Sequence, residues 1–271
     1  MAAGDMARTI DINCDCGESF GNWSMGSDEA LIPLITTANV ACGFHGGDPV
    51  VMQKTVAAAH ANGVAVGAHP GLPDLVGFGR RRMAISPGEA YAAVVYQVGA
   101  LKAFLEPLGM ALHHVKPHGA LYMMLHDQED LAAAVAEAIR DTCPAPLLYW
   151  PAPVELHALP RAARKLGIDV VGEVYFDLAY SNEAHLIVER KKTPKDIDDV
   201  RSRLRRYLND GVVLSQSGNP IALDAGTICI HGDGPNSVDI GRTVRAVLAE
   251  EGVAALAWQP PRARSGRRAT A

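Results

Sequence analysis

The stretch TANVACGFHGGDP, residues 37–49, predicts the end of a buried β-strand, a tight glycine-rich turn and the start of an α-helix. The residues before Gly43 are small or apolar except for a threonine and an asparagine, as in a strand with both faces covered. Asp48 stands where a helix N-cap belongs, and Pro49 where the first helical residue belongs. His45 then lies at the carboxyl end of the strand, the edge at which α/β folds bind ligands.

The same arrangement recurs along the chain. Four predicted strands end in a histidine that is followed within two residues by glycine, namely His45, His69, His118 and His231. Strands alternate with helices throughout, which predicts a parallel sheet with covering helices. Seven or so repeats favour a closed, irregular (β/α) barrel of the TIM type over an open sheet, and no G-x-G-x-x-G or P-loop pattern follows a strand. In such a barrel the four histidines would ring one mouth.

Composition limits the class of protein. The chain has 271 residues, 48% of them hydrophobic, with a net charge of -5, and a pI near 6.0 argues against a nucleic-acid binder with a basic face. No apolar run is long enough to span a membrane, residues 1–8 lack the apolar core of a signal peptide, and five cysteines fit reduced thiols in the cytoplasm. We predict one barrel domain over 1–258 and a disordered basic tail over 259–271.

Titratable and amide side chains gather at the predicted strand ends. Lys116, His118 and Tyr122 fall within seven residues after the fourth predicted strand, and a buried lysine either acts as a base or holds an anion. Asp48 alone is more simply a helix cap. The candidate site residues are Asn13, Asp15, Glu18, Asn39, His45, Asp48, His69, Arg80, Lys116, His118, Tyr122, Glu173, Asp177, His231 and Asp233.

Two chemistries fit these residue types. One is metal-assisted hydrolysis, in which a divalent metal is held by ligands among Asp15, His45 and His69 and activates a water. The other is metal-free acid/base or phosphoryl chemistry around an anionic substrate, with Lys116 and the histidines. The sequence contains neither H-x-H nor H-E-x-x-H, so both alternatives stay open.

Six motifs together resemble the LamB/YcsF family over nearly all of residues 10–251. They are DINCDCGESFG (11–21), ANVACGFHGGD (38–48), GAHPG (67–71), GFGR (77–80), HVKPHGALY (114–122) and HGD (231–233). The resemblance implies an irregular barrel similar to the glycoside hydrolase/deacetylase group. It also implies hydrolysis of the 5-oxoproline lactam to glutamate, with ATP as co-substrate and with two partners, subunits B and C of a 5-oxoprolinase.

Opening a lactam is uphill without coupling, and phosphorylation of its oxygen would make it a better electrophile. On this hypothesis Lys116 holds the anion, and His45, His69, His118 or Asp15 is the base. Two positions depart from the family pattern as we expect it: Leu178 stands in place of an arginine, and a Pro-Arg pair further on is replaced by Val188-Glu189-Arg190, where Arg190 could compensate from the next position along. The resemblance therefore predicts 5-oxoproline or a related lactam as substrate.

Two alternatives belong to other classes. The chain could be a stand-alone metal-dependent amidohydrolase or deacetylase-like enzyme that acts on another lactam or small amide. It could also be a non-catalytic subunit that binds a metabolite. Bound divalent metal would favour the first alternative, and ligand binding without turnover would favour the second.

Overall fold

A closed barrel of seven parallel strands forms the centre of the computed structural model, which describes residues 8–187 and 192–260. Six strands follow one another around the barrel in chain order, and the ring closes where the seventh strand pairs with the first. This seventh strand is labelled β11 because four short strands precede it in the chain. The barrel strands are β1 (Thr9–Cys16), β2 (Thr37–Ala41), β3 (Ala65–His69), β4 (Leu112–Val115), β5 (Leu147–Pro151), β6 (Asp169–Tyr175) and β11 (Thr227–Ile230). The predicted TIM-like α/β barrel is confirmed.

Helices cover the outside of the barrel, as the alternating sequence pattern predicts. They are α1 (Asp28–Leu31), α2 (Pro49–Ala61), α3 (Pro87–Leu105), α4 (Gly119–Met124), α5 (Glu129–Thr142), α6 (Ala158–Lys165), α7 (Ile197–Asp210) and α8 (Ser237–Glu250). The capping signals act as expected, since Asp48 accepts hydrogen bonds from the Val50 and Val51 amides, and Ser86 forms a capping box with Glu89. Ser27 precedes α1 but makes no side-chain cap.

The irregular part of the barrel lies between β6 and β11. Two antiparallel hairpins stand there, β7 (Ala179–Tyr180) with β8 (Leu186–Ile187) and β9 (Val212–Leu214) with β10 (Pro220–Ala222), and α7 connects them. Both hairpins are additions to the simple alternation of strands and helices. A last strand, β12 (Ala254–Ala255), pairs with the start of β1. The predicted tail from residue 261 onward and Arg190 lie outside the described residues.

Strand alternation sends polar side chains into the barrel and apolar ones to its helices. On β1, Ile12 and Cys14 are fully buried in the hydrophobic core outside the barrel, whereas Asp11, Asn13 and Asp15 take part in hydrogen bonds across its interior. A barrel filled with polar groups needs a partner for each of them, because a buried polar group without a hydrogen bond is costly. Asp11 meets this need through the hydroxyls of Thr37 and Thr227. Among the described helices, none is long and apolar enough to cross a bilayer.

Candidate active site

A cavity of about 440 Å³ opens at the carboxyl ends of the barrel strands. Eight of the fifteen candidate residues line it: Asp15, His69, Arg80, Lys116, His118, Tyr122, Glu173 and His231. The strands carry these side chains to one mouth because all seven run in the same direction. Of the four histidines at strand ends, His69, His118 and His231 line this cavity, and His45 stacks on His118.

Lys116 lies at the floor of the cavity between two carboxylates. Its Nζ is 3.0 Å from Asp15 Oδ1 and 3.1 Å from Glu173 Oε1, and it also contacts Asn13 Oδ1 at 3.3 Å and Cys229 Sγ at 3.1 Å. The three N–H groups of the Lys116 ammonium thus have four protein atoms within hydrogen-bonding distance. The ammonium is occupied by groups of the protein, so it holds internal carboxylates in place of the substrate anion that the sequence suggested.

Electrostatics keep this ion pair charged. Burial alone would lower the pKa of Lys116, but the neighbouring Asp15, Cys229 and Glu173 raise it well above its ordinary value. Burial likewise pushes the pKa of Asp15 upward, while His69 and Lys116 bring it well below its ordinary value. Asp15 is therefore an ionised carboxylate that is fixed by Lys116 and by the Asn39 amide at 2.7 Å, and it lines the cavity.

A second group of buried side chains lies beside Asp15. Glu18, His45, His69 and His118 each offer one ligand atom, and these four atoms all lie within 4.8 Å of one another. Glu18 Oε1 is 3.4 Å from His45 Nε2 and 3.8 Å from His118 Nδ1, and His118 Nδ1 is 3.0 Å from His69 Nε2. This set could hold a metal ion. It includes His45 and His69 from the sequence proposal, but Glu18 and His118 take the place of Asp15, whose Oδ2 lies 3.5 Å from His69 Nε2.

Burial makes this group electrically neutral in the absence of a cation. Desolvation lowers the pKa of His45 and of His118 well below the usual range, and it lowers the pKa of His69 to about 3. Desolvation, with a contribution from Asp15, raises the pKa of Glu18 well above its ordinary value. Both nitrogens of His45 and Glu18 Oε1 are buried without a hydrogen-bond partner.

A carboxylate–imidazole pair lies at the end of β11, the strand that pairs with β1. Asp177 Oδ2 accepts from His231 Nδ1 at 2.8 Å, which fixes the tautomer and leaves Nε2 as the free nitrogen of a ring that lines the cavity. Arg203 of α7 donates to the carbonyl oxygens of Phe176 and Leu178, on either side of Asp177. Burial would raise the pKa of Asp177, but His231 and Lys192 bring it to about 2, so the carboxylate is ionised.

The rim of the cavity carries Arg80. Its guanidinium lies 4.9 Å from the centre of the Phe78 ring and contacts Asp233 Oδ2 at 3.2 Å, and Asp233 also binds Lys192. The side chain of Arg80 is 38% exposed, so it can reach a ligand at the mouth. Among its neighbours in the chain, Arg81 is paired with Asp74, whereas Arg82 lines the cavity.

Seven of the fifteen candidates do not line the cavity, and four of them, Glu18, His45, Asp177 and Asp233, belong to the groups described above. The other three are Asn13, Asn39 and Asp48. Asn13 and Asn39 are fully buried beneath the cavity, where they support Asp15 and Lys116. Asp48 is occupied by the α2 amides and by Gly21 N at 2.9 Å, as the simpler capping interpretation predicts.

Some residues of the site escape sequence reasoning. Cys229 contacts Lys116, which the sequence did not suggest. Cys229 lies on β11 two residues before His231, which directly follows that strand, and this spacing is the signal that places both inside the barrel. Tyr175 donates to Glu173 Oε2 at 2.9 Å and stacks on His231. Leu178 is 4% exposed and lines the cavity with Leu186, so this position faces the ligand space without offering a charge.

Ser19 also needs an account, because GESFG at residues 17–21 matches the G-x-S-x-G pattern of a serine nucleophile elbow. That pattern requires a strand–turn–helix context and a neighbouring base. Residues 17–19 form no strand or helix, and the Ser19 hydroxyl donates to Met25 O at 3.2 Å and accepts from Met25 N at 2.9 Å. Ser19 is therefore a loop-stabilising residue.

Gly79 leaves room for the ring of His45 to stack on that of His118, so we expect Gly79→Ala to displace these two rings and destabilise the fold. A Cβ at Gly79 would lie 2.6 Å from His45 Cβ and 2.9 Å from His118 Cδ2, on a backbone with φ +62°. Gly109→Ala is a matched control, since its φ is +65° with nothing within 4 Å. Urea unfolding should show a loss of about 1 kcal/mol for Gly109→Ala and a further ~1–3 kcal/mol for Gly79→Ala. Equal losses would contradict the packing described.

Comparison with known proteins agrees with this architecture. Residues 10–263 match the model of the LamB/YcsF family. Among curated proteins, the A subunit of 5-oxoprolinase from Bordetella pertussis is 47% identical over 251 residues, which cover 92% of this chain and 98% of the relative. The protein of the same name from Bacillus subtilis is 44% identical over 246 residues, covering 90% and 95%.

A solved structure is similar over the same length. The lactam utilization protein from Thermus thermophilus superimposes with a TM-score of 0.85 at 42% sequence identity. The match covers 92% of this chain and 100% of that one.

Proposed function

Because this chain belongs to the LamB/YcsF family, we propose that it catalyses the hydrolytic opening of the 5-oxoproline lactam to glutamate as one component of a multi-subunit 5-oxoprolinase. The relatives named as A subunits of 5-oxoprolinase and the lactam utilization protein support this assignment. A cavity of about 440 Å³ suits a small cyclic amide.

One observation carries the proposal. Asp15 is an ionised carboxylate at the cavity surface, held by Lys116 at 3.0 Å, and His231, whose Nδ1 is fixed by Asp177, lines the same cavity from the end of the neighbouring strand. A carboxylate base and an oriented imidazole in one cavity are groups that amide hydrolysis uses.

The proposed chemistry assigns one proton transfer to each group. Asp15 takes a proton from water as the water oxygen bonds to the lactam carbon. His231 takes up a proton from solvent at Nε2 before the reaction; when the ring C–N bond breaks, it delivers that proton to the leaving nitrogen, which becomes the amine of glutamate, and Asp15 returns its proton to solvent. Lys116 keeps Asp15 ionised before the reaction and stabilises it in place, so it acts through Asp15 and not on the substrate.

ATP coupling is the part of the proposal that involves partners. Phosphorylation of the lactam oxygen by ATP would release ADP and make the carbon more electrophilic. Attack by one water and cleavage of the C–N bond would then give an acyl phosphate of glutamate, and a second water would hydrolyse it to phosphate and glutamate. We assign this step to the assembly with two partners, subunits B and C. All five cysteines of the chain are free and buried, which suits a reducing compartment, and we infer a cytoplasmic location.

Reconstitution tests the proposal directly. ADP and glutamate would be measured from 5-oxoproline plus ATP, with this chain, with its candidate partners, and with all three subunits together. We expect stoichiometric ADP and glutamate only in the complete mixture. An assembled complex that binds 5-oxoproline without turnover would instead indicate a metabolite-binding subunit, and turnover of other lactams alone would indicate a changed substrate.

Arg80 is the exposed cation that we expect to meet the substrate carboxylate. Arg80→Met should raise KM for 5-oxoproline about 10-fold or more with a smaller effect on kcat, as the loss of one charge-assisted hydrogen bond predicts. Arg242→Met is the control, because this arginine is also paired with an aspartate, at 3.4 Å from Asp239, but on the surface of α8. An unchanged KM for Arg80→Met would remove Arg80 from substrate binding.

The group of Glu18 with three histidines favours a second candidate function, a metal-dependent amidohydrolase that acts without partners. The test is hydrolysis of lactams and small amides by this chain alone with added Zn²⁺ or Mn²⁺ and no ATP. Metal-dependent turnover by this chain alone that is lost with chelator would support this candidate. If the chain alone shows no such turnover although the three-subunit mixture is active with ATP, the candidate is excluded.

A further inference from the structure

His69 and His118 make three hydrogen-bonding contacts, but as neutral rings they have only two protons to share among them. His69 Nδ1 lies 2.6 Å from the Lys116 carbonyl oxygen, His118 Nε2 lies 2.8 Å from the Phe78 carbonyl oxygen, and the other two nitrogens face each other at 3.0 Å. Carbonyl oxygens only accept, so each ring donates its single proton to a carbonyl. His69 Nε2 and His118 Nδ1 then meet as two lone pairs. Two neutral imidazoles have two protons for three contacts, whichever tautomers are chosen.

From this geometry we propose that Glu18, His45, His69 and His118 form a binding site for a divalent metal ion of the zinc class, between His69 Nε2 and His118 Nδ1. A third proton would satisfy the contact between the two rings and face Asp15 Oδ2, 3.5 Å from His69 Nε2, but it would leave both nitrogens of His45 without partners. A cation at this point can be bound by His69, His118, one nitrogen of His45 and Glu18 together.

Distances within the group agree with a compact tetrahedral site. Zinc–nitrogen bonds of about 2.0–2.1 Å place neighbouring ligand atoms about 3.3 Å apart in a tetrahedron. The observed separations are 3.0 Å for His69–His118, 3.4 Å for Glu18–His45 and 3.8 Å for Glu18–His118. Three imidazoles and one carboxylate are the donor set that zinc and similar borderline ions prefer, whereas magnesium and calcium prefer oxygen ligands.

The surroundings are built to hold these rings. The hydrogen bonds to Lys116 O and Phe78 O orient two of the imidazoles, as supporting groups do around metal ligands. Gly71 admits the third, because a Cβ there would lie 2.5 Å from His45 Nδ1. The four residues are at most 7% exposed, and His69 and His118 also line the cavity. The ion would thus be buried on one side and face the substrate space on the other.

The metal site rests on the donor geometry alone, and its use in lactam opening rests on the proposed function. An ion at this position would polarise a lactam carbonyl or lower the pKa of a bound water. It would also explain why Glu18, buried beside three neutral imidazoles, has no hydrogen-bond partner for Oε1.

Metal binding is tested without any assay of activity. Tag-free full-length chain is stripped with chelator, its fold is checked by circular dichroism, and Zn²⁺ is titrated in competition with a chromophoric chelator. Co²⁺ is used in parallel for its visible spectrum. We expect one equivalent of Zn²⁺, a rise in Tm with Zn²⁺, and the absorption bands of tetrahedral Co²⁺. His118→Gln and Glu18→Gln should lower the affinity about 10- to 100-fold or more, while His60→Gln, an exposed histidine on α2, should leave it unchanged.

Two results would overturn the proposal. One is a folded wild-type chain that takes up no stoichiometric Zn²⁺ or Co²⁺. The other is a folded His45→Gln/His118→Gln double variant that binds the ion as tightly as wild type. If a variant fails to fold, the wild-type stoichiometry and the Co²⁺ spectrum decide the question. Loss of lactam activity with intact metal binding would count against the proposed function and not against the site.

Discussion

Lys116→Met should lower the rate of glutamate formation about 10³-fold or more and reduce the free energy of unfolding by about 3–5 kcal/mol. The ammonium lies 3.0 Å from Asp15 and 3.1 Å from Glu173 in a place that is 6% exposed. Without it, two buried carboxylates lose their shared counter-ion. The pKa of Asp15 then rises, so a smaller fraction of the base is ionised, and the stability that the ion pair contributed is lost.

A double variant separates these two effects. Lys116→Met/Glu173→Gln removes one of the two unpaired carboxylates, so we expect part of the stability to return while the activity stays low. Lys102→Met is the control, because this lysine donates to Thr142 O at 2.7 Å on the outside of α3 and should cost about 1 kcal/mol without affecting turnover. Full coupled activity in Lys116→Met would contradict the account of Asp15.

Asp177→Asn should lower kcat about 10²- to 10⁴-fold with little change in the free energy of unfolding. The carboxylate holds His231 Nδ1 at 2.8 Å and stabilises the imidazolium that forms when Nε2 accepts a proton. A side chain that served only packing would instead lower the free energy of unfolding and leave kcat close to that of wild type.

Non-additivity gives the sharper test of this pair. The double variant Asp177→Asn/His231→Gln should be no slower than His231→Gln alone, because Asp177 acts through His231. Asp141→Asn, an exposed aspartate paired with Arg140, is the control and should behave as wild type. Additive losses in the double variant would show that Asp177 has a separate role.

The barrel and the position of its mouth could be predicted from the sequence because both follow from local patterns. Strand alternation and helix caps repeat along the chain, and parallel strands bring their carboxyl ends together. His45, His69, His118 and His231 could therefore be assigned to one region without knowledge of any loop. From the sequence, Asp48 could be either a helix cap or a ligand-binding residue, and its hydrogen bonds to the α2 amides fit the helix cap.

The pairing of side chains could not be predicted, since it depends on how loops fold across the mouth. Glu18 reaches His45 because the loop after β1 packs on the turn after β2, where a Cβ at Gly46 would lie 2.9 Å from Glu18 O. Likewise Gly79 brings a distant loop against His45 and His118. Single glycines in a sequence do not reveal which backbone they allow to approach, so the composition of the histidine group and the partners of Lys116 appear only in the structure.

Asp15→Asn, assembled with the two partner subunits, tests most directly whether lactam opening occurs at this mouth. The variant keeps the size of the side chain and should still assemble and bind 5-oxoproline, which is measured by co-purification and by calorimetry. Glutamate release in a single-turnover experiment should fall about 10³-fold or more, since no carboxylate then accepts the proton of water. Wild-type glutamate release by this variant would contradict the account and place the chemistry elsewhere in the assembly.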